Sequence, residues 1–363
     1  MKILLVAPTG QEVLGVITGY CRTALLNAGH DVKIFDFRES QYFKGDILSY
    51  LKPKIKRFFN LSPRKIPAIN RIEIDKMNIS LYNTALSYKP DLALILTGET
   101  ITTETLHKIR KEGIVIANWF MDSVSSPHRK SFVEEISSYY DFFFIIDSLE
   151  VLKYVKIGAR YVYWLPLGLD PAVHRTMHLN DGEKQKYSSN VTFVGTVIPV
   201  REDILEAVAN FGLNIWGPPA SSYGSWIDRK PALSRCYRGG PIFGDEVIKI
   251  YSASKIVVSI DSLYGNQIFS VTPRVFEVAG CGSFHVCNYN EQLSKLHFKI
   301  GKEIVCFKTK EDLRKLVKYY LENEDERETI AKNGQKRVYK EHTYACRIEE
   351  MCSFLKDTGI NLK

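Results

Sequence analysis

The chain has 363 residues, 45% of them apolar and 25% charged, with 23 Gly and 14 Pro. That length exceeds one ordinary domain and suits two α/β domains of roughly 170 residues each, with a cleft between them, while the composition excludes long disorder and low-complexity architecture. The formal net charge of +8 favours acidic partners such as nucleotide diphosphates, phospholipid surfaces or nucleic acid.

The opening MKILLVAPTG predicts a buried strand over 2–7 that ends in a Pro8-Thr9-Gly10 turn. One Lys and six apolar residues make too short a run for a signal peptide or a membrane span, so a cytoplasmic protein is expected. A helix pattern over 15–28 and a strand over 30–37 follow. Next comes a basic stretch with Lys52, Lys54, Lys56, Arg57, Arg64, Lys65 and Arg71 around Phe58 and Phe59, interrupted by Pro53, Pro63 and Pro67. It is either a solvated basic loop or a patch for an anionic surface or acceptor, with peripheral membrane contact as the consequence. Helices near 78–88, 102–111 and 129–138 then alternate with strands over 91–98, 114–120, 141–147 and 161–168. Runs apolar on both faces between amphipathic helices mark a parallel sheet covered on both sides, which carries its ligand loops at the carboxyl ends of the strands.

Residues 167–190 turn polar and helix-poor, which sets an N-terminal domain over 1–168 and an interdomain linker over 169–188. Strands are expected over 190–196, 213–217, 255–260, 283–287 and 303–307, with helices over 201–212, 244–254 and 273–280. Two closing helices run from 310 to about 356. The second Rossmann-like domain spans 189–340, and 341–363 is expected to pack back towards the first. The seven cysteines, at 21, 236, 281, 287, 306, 346 and 352, show no metal-ligand spacing and read as reduced thiols.

The most informative stretch is Ser270-Val-Thr-Pro-Arg-Val-Phe-Glu-Val-Ala-Gly-Cys-Gly-Ser283. A loop with Ser270, Thr272 and Pro273 leads into a short helix bearing Arg274 and Glu277, and Gly280 and Gly282 close it. Helix N-terminal amides with a first-turn Arg make an anion site, and a Glu one turn later can accept two hydrogen bonds from a ribose diol. The same spacing also describes an ordinary exposed Arg/Glu pair. Phe193-Val194-Gly195-Thr196 followed by Arg201 would bring a strand end, a small-residue turn and a guanidinium to phosphates, or form a plain surface turn.

The run TPRVFEVAGCGSFHV resembles the R-x-F-E-x-x-A-C-G-G segment of the CgeB-like (spore maturation protein) glycosyltransferases, GT-B relatives of families 1 and 4. NVTFVGTVIPVR (190–201), YSASKIVVSI (251–260), PLGLDPAVH (166–174) and the run 312–351 are similar to further segments of that family. The resemblance implies a GT-B fold, with two doubly wound Rossmann-like domains facing across a cleft, and transfer of a sugar from a nucleotide-diphosphate donor. It further implies that Glu277 holds the donor ribose, that Arg201 and Arg274 face the diphosphate, and that Gly280 and Gly282 permit close backbone approach. IWGPPA (215–220) and RGGPIFGDE (238–246) would wall the base pocket. The residue eight before Glu277 is Phe269, which departs from the E-x7-E pattern of retaining GT-B enzymes and leaves the sugar and the stereochemistry open.

On the acceptor side, Thr9, Gly10 and Gly15 could bring backbone amides to the cleft, although the pattern is not GxGxxG. Asp122, in the loop Trp119-Phe120-Met121-Asp122-Ser123, is the first candidate for a catalytic base or electrostatic partner, with a turn or cap role as its alternative. Glu99, His128 and His174 rank behind it. No DxD, HExxH, GxSxG or Walker A sequence occurs, so neither a metal nor another cofactor is expected, and arginines with helix N-termini would neutralise the leaving diphosphate. The expected donor is a UDP-sugar; the acceptor is a glycan, a lipid-linked sugar or a protein, and nucleic acid is not an expected partner. A non-hydrolysing sugar-nucleotide epimerase and an inactive GT-B-like binding or structural protein are the rival readings.

Overall fold

The computed structural model describes residues 1–10, 13–38, 68–124, 130–221, 224–261, 263–264, 267–268 and 271–360. The chain forms two compact units, Met1–Leu167 with Tyr344–Lys363, and Gly168–Thr343.

Six parallel strands make the sheet of the first unit: β1 (Lys2–Val6), β2 (Asp31–Phe35), β3 (Leu92–Leu96), β4 (Val115–Phe120), β5 (Phe142–Ile145) and β6 (Tyr161–Trp164), in the order β2-β1-β3-β4-β5-β6. Because strand side chains alternate, Leu4, Val6, Ala93 and Ile95 enter one core and Ile3, Leu5, Leu94 and Leu96 the other. The first face is covered by the helix Ala68–Tyr88, whose Met77, Leu81 and Ala85 recur at helical spacing, and by Thr103–Lys111 through Leu106 and Ile109. On the second face lie Ile17, Cys21 and Leu25 of the helix Val13–Asn27 and Ile348, Met351 and Leu355 of the helix Tyr344–Asp357. Trp119 is wholly buried there and satisfies its indole N–H on the Leu165 carbonyl at 3.0 Å.

The second unit contains β7 (Ser189–Val194), β8 (Leu213–Trp216), β9 (Ala220–Ser221), β10 (Gly224–Ser225), β11 (Tyr237–Gly239), β12 (Ser254–Ser259), β13 (Leu263–Tyr264), β14 (Gln267–Ile268), β15 (His285–Asn288) and β16 (Val305–Phe307). Six of them form a parallel sheet ordered β11-β8-β7-β12-β15-β16, and β9-β10 and β13-β14 are short antiparallel pairs. The chain order reverses between β7 and β12, the switch point outside which open α/β sheets bind ligands.

Several elements depart from expectation. The stretch 169–188 lies within the second unit and carries the helix Asp181–Tyr187, held by a capping box of Asn180 and Glu183; its polar composition conceals it, since only Tyr187 is buried. The two closing helices are three, Lys310–Glu322, Glu324–Glu341 and Tyr344–Asp357. The helix expected near 78–88 begins at Ala68, directly after Pro67. Of the basic stretch, 52–67 lies outside the described residues, and Arg71 sits exposed on that helix. No helix among the described residues is long and apolar enough to cross a membrane.

Candidate functional site

At the carboxyl end of β7 the chain turns through Gly195, whose φ of +148° suits a residue without Cβ and whose N–H donates to the Trp216 carbonyl at 2.8 Å. The neighbouring strand end comes so close that a Cβ on Gly217 would stand 2.1 Å from the Gly195 carbonyl oxygen. The exposed Thr196 follows, and its carbonyl accepts from Arg201 Nη1 at 2.8 Å. The helix Pro199–Glu206 opens behind Ile198, which offers no side-chain cap; Pro199 lacks an N–H, and the Arg201 amide donates to the Ile198 carbonyl at 2.8 Å. Arg201 stands in its first turn, buried, 5.9 Å from the centre of the Phe193 ring.

The helix Pro273–Gly280 repeats this arrangement beside the end of β12. Thr272 occupies the cap position, yet its hydroxyl donates to Asp261 Oδ1 at 2.7 Å, so the cap is made by its carbonyl, which accepts from the Val275 amide at 3.2 Å, and not by its side chain. Arg274 in the first turn interacts electrostatically with the Tyr251 hydroxyl and reaches the β7 turn, where a Cβ on Gly195 would meet its Nη1 at 3.3 Å. The two guanidiniums therefore converge on the switch point. Burial, and then the charge of Arg274, push Arg201 down to about 10, while burial of Arg274 is outweighed by Tyr251, Glu277 and Asp261, which hold it above the usual arginine range. The Nε atoms of both arginines are buried without a hydrogen-bond partner among the described residues. An unmet buried donor costs roughly 1–3 kcal/mol, more when charged, so the pair is set up for an anion with several acceptor oxygens.

Three further groups belong to this cluster. Burial raises the Asp261 carboxyl, and its amide donates to Asn288 Oδ1 at 2.7 Å. His285 lies 2.7 Å from the Ser259 hydroxyl through Nε2, and burial followed by Arg274 lowers it to about 3, so the imidazole stays neutral beside the arginines. Tyr251, fully buried, is pushed up to about 12 chiefly by burial.

Glu277 shares the helix with Arg274; its carboxylate is 26% exposed and lies 3.8 Å from His174 Nε2. The close approach at Gly280 and Gly282 is to the chain's own backbone and side chains. A Cβ on Gly280 would stand 3.0 Å from the His174 carbonyl, and one on Gly282 would stand 2.6 Å from the Thr176 hydroxyl, so both glycines dock the segment 174–176. Ser270, Phe269 and His128 lie outside the described residues.

In the first unit, Thr9 donates its amide and hydroxyl to Asp36, and Gly15 packs its helix onto the turn, where a Cβ would be 2.6 Å from the Gly10 carbonyl oxygen. Glu99 follows β3 just after Thr97, a non-glycine residue at φ +64°. Asp122 is exposed after β4, with its Oδ1 accepting from the Ser123 amide at 2.8 Å. Among the described residues no three His, Cys, Asp or Glu side chains gather to hold a metal ion.

Over residues 201–353 the sequence matches the sequence model of the glycosyl transferase-like family. No curated protein matches the chain. Among solved structures, sucrose-phosphate synthase from Thermosynechococcus elongatus is similar at 14% identity over 99% of each chain, with a TM-score of 0.67. HepE from Anabaena, solved in complex with UDP-glucose, is similar at 13% identity over 98% of this chain and 100% of that one, with a TM-score of 0.66. An alpha-glucosyltransferase solved in complex with UDP is similar at 14% identity over 98% and 100%, also at 0.66. The chain has the GT-B fold of two Rossmann-like α/β units, and residues 201–353 carry a glycosyl transferase-like domain.

Proposed function

We propose that the protein is a glycosyltransferase that moves a sugar from a UDP-sugar to an acceptor hydroxyl on a glycan, a lipid-linked sugar or a protein. The observation that carries this reading is the pair of buried, unmet guanidinium Nε donors of Arg201 and Arg274 in the first turns of two helices without side-chain caps. A nucleoside diphosphate leaving group supplies the oxygens and the negative charge that such a site lacks. Glu277, one turn further in, would accept from the ribose hydroxyls. In the reaction the bond from the anomeric carbon to the diphosphate breaks as one to the acceptor oxygen forms. The acceptor proton passes to a carboxylate, for which Asp122 is the proposal, or to the leaving phosphate. Because the arginines and helix amides take up the charge that develops on the diphosphate, the transfer is proposed to need no metal. The 201–353 match and the likeness to structures solved in complex with UDP-glucose and with UDP favour this donor class. Kinship with the CgeB-like branch rests on sequence resemblance, in the TPRVFEVAGCGSFHV run and the segments 166–174, 190–201, 251–260 and 312–351.

The test is a titration of UDP and of uridine against the wild type and against Arg201→Gln and Arg274→Gln. Loss of a charge-assisted bond should weaken UDP by about tenfold or more per arginine and leave uridine nearly unchanged. Equal losses for both ligands would place the arginines away from the diphosphate.

A further inference from the structure

The two most exposed large apolar side chains among the described residues, Leu149 at 77% and Leu152 at 71%, stand three residues apart just after β5. Val155 and Ile157, at 49% and 42%, are exposed a few residues further along the chain. The segment is a turn of 3-10 helix, Ser148–Glu150, that runs into the helix Val151–Lys156. Its place in the fold is fixed from the other side. Tyr154 is wholly buried with its ring centre 5.3 Å from that of Phe143, Ala159 is buried, and the Asp147 carboxylate accepts from the Leu149 amide at 3.1 Å. The leucines therefore cannot turn inward without pulling Tyr154 out of the core. A single exposed leucine is ordinary, but four exposed large apolar side chains within nine residues are not.

Charge indicates what covers this surface. Between 148 and 160 the cations Lys153, Lys156 and Arg160 stand against the single carboxylate Glu150. Lys153 is engaged by Glu150 and Glu134, each at 3.0 Å, and Arg160 keeps a side chain that is 52% exposed, 3.4 Å from Asp141. At 100° per residue Leu152 and Lys156 share one side of the helix Val151–Lys156, and the exposed Leu149 stands in the turn before it. A dry protein interface would have to desolvate those cations. At a bilayer surface, leucines enter the boundary between headgroups and acyl chains while long cationic side chains reach the phosphates.

We propose that the surface around Leu149 and Leu152, with Lys156 and Arg160, docks reversibly on an anionic phospholipid bilayer. The full chain is co-sedimented with vesicles of phosphatidylcholine alone and of phosphatidylcholine with phosphatidylglycerol, at low and high salt. The wild type should bind the anionic vesicles and release them at high salt. The Leu149→Gln/Leu152→Gln pair should lower the partition coefficient by about tenfold or more, and Lys156→Gln/Arg160→Gln should lower it by a similar factor on anionic vesicles only. Both variants change exposed side chains, so melting temperature and UDP affinity should match the wild type and show that the fold is intact. Failure of the wild type to bind anionic vesicles, or full binding by the leucine pair, would overturn the proposal. So would a concentration-dependent dimer that the leucine pair abolishes, because a second copy would then be the occupant.

Discussion

Glu277 is a carboxylate left partly open on the helix that also carries the half-buried Arg274, with His174 Nε2 3.8 Å away. A carboxylate placed there can accept two hydroxyl bonds from a ribose while the arginines hold the phosphates. Glu277→Ala should therefore weaken UDP and uridine alike, by about 1.5–3 kcal/mol, the worth of bonds to a charged group. Unchanged affinity for both in a folded variant would remove Glu277 from the ribose. The common loss separates this residue from Arg201 and Arg274, whose replacement should discriminate between the two ligands. Arg274 and Glu277 were legible in the sequence because a Pro-opened helix with a glycine stop places both within one turn. Asp261, Tyr251, Ser259 and His285 were not. They are scattered over four elements, and only the parallel register that sets Val257 against His285 and Ser259 against Cys287 brings them beside the arginines. For Gly280 and Gly282, nothing in a Gly-Cys-Gly run tells whether a ligand or the segment 174–176 will use the space.

At the level of elements, β12 and β15 carry the polar floor of the site, and the pair of Ser259 and His285 within it gives a pH test. In the unfolded chain His285 titrates near its usual 6.5, whereas in the fold burial and Arg274 hold it down to about 3. Between those values the unfolded state binds a proton that the native state refuses, so stability falls as pH drops, by up to about 1.4 kcal/mol per pH unit. Above 6.5 this contribution is complete and constant. Urea unfolding of the wild type and of His285→Asn at pH 7.5 and pH 5 isolates it, because the other titrating groups are common to both. The wild type should lose more stability than the variant on acidification; equal losses would mean that His285 accepts a proton in the fold. The strands themselves were readable as short runs apolar on both faces, which only a covered parallel sheet explains. Elements shorter than two turns, such as Val151–Lys156, or polar throughout, such as Asp181–Tyr187, gave no periodic signal to find.

For the whole molecule, the feature with the largest energetic consequence is that the chain leaves the first unit at Leu167 and returns to it at Tyr344. The returning helix Tyr344–Asp357 buries Tyr344, Ile348, Met351 and Leu355 almost completely, and Tyr344 packs its ring 5.6 Å from Tyr20 and 6.2 Å from Trp119. At about 1.5–3 kcal/mol for each fully buried large side chain, those four contribute roughly 6–12 kcal/mol. That is comparable with the roughly 5–15 kcal/mol that separates a whole domain from its unfolded chain. A chain ending at Thr343 should therefore fail to hold the first unit together, with Ile17, Cys21, Leu25 and Trp119 left on an open face that binds a hydrophobic dye. The second unit draws no residue from beyond Thr343, so it should still fold and still be stabilised by UDP. Ile348→Ala supplies the graded version, with an expected cost of about 2–5 kcal/mol confined to the first unit. Calorimetry of the full chain, the truncated chain and Ile348→Ala, each with and without UDP, reads both units at once. A truncated chain that keeps the full unfolding enthalpy would show that the closing helix is an appendage; a UDP-stabilised transition beside a lost one would show that it completes the first core.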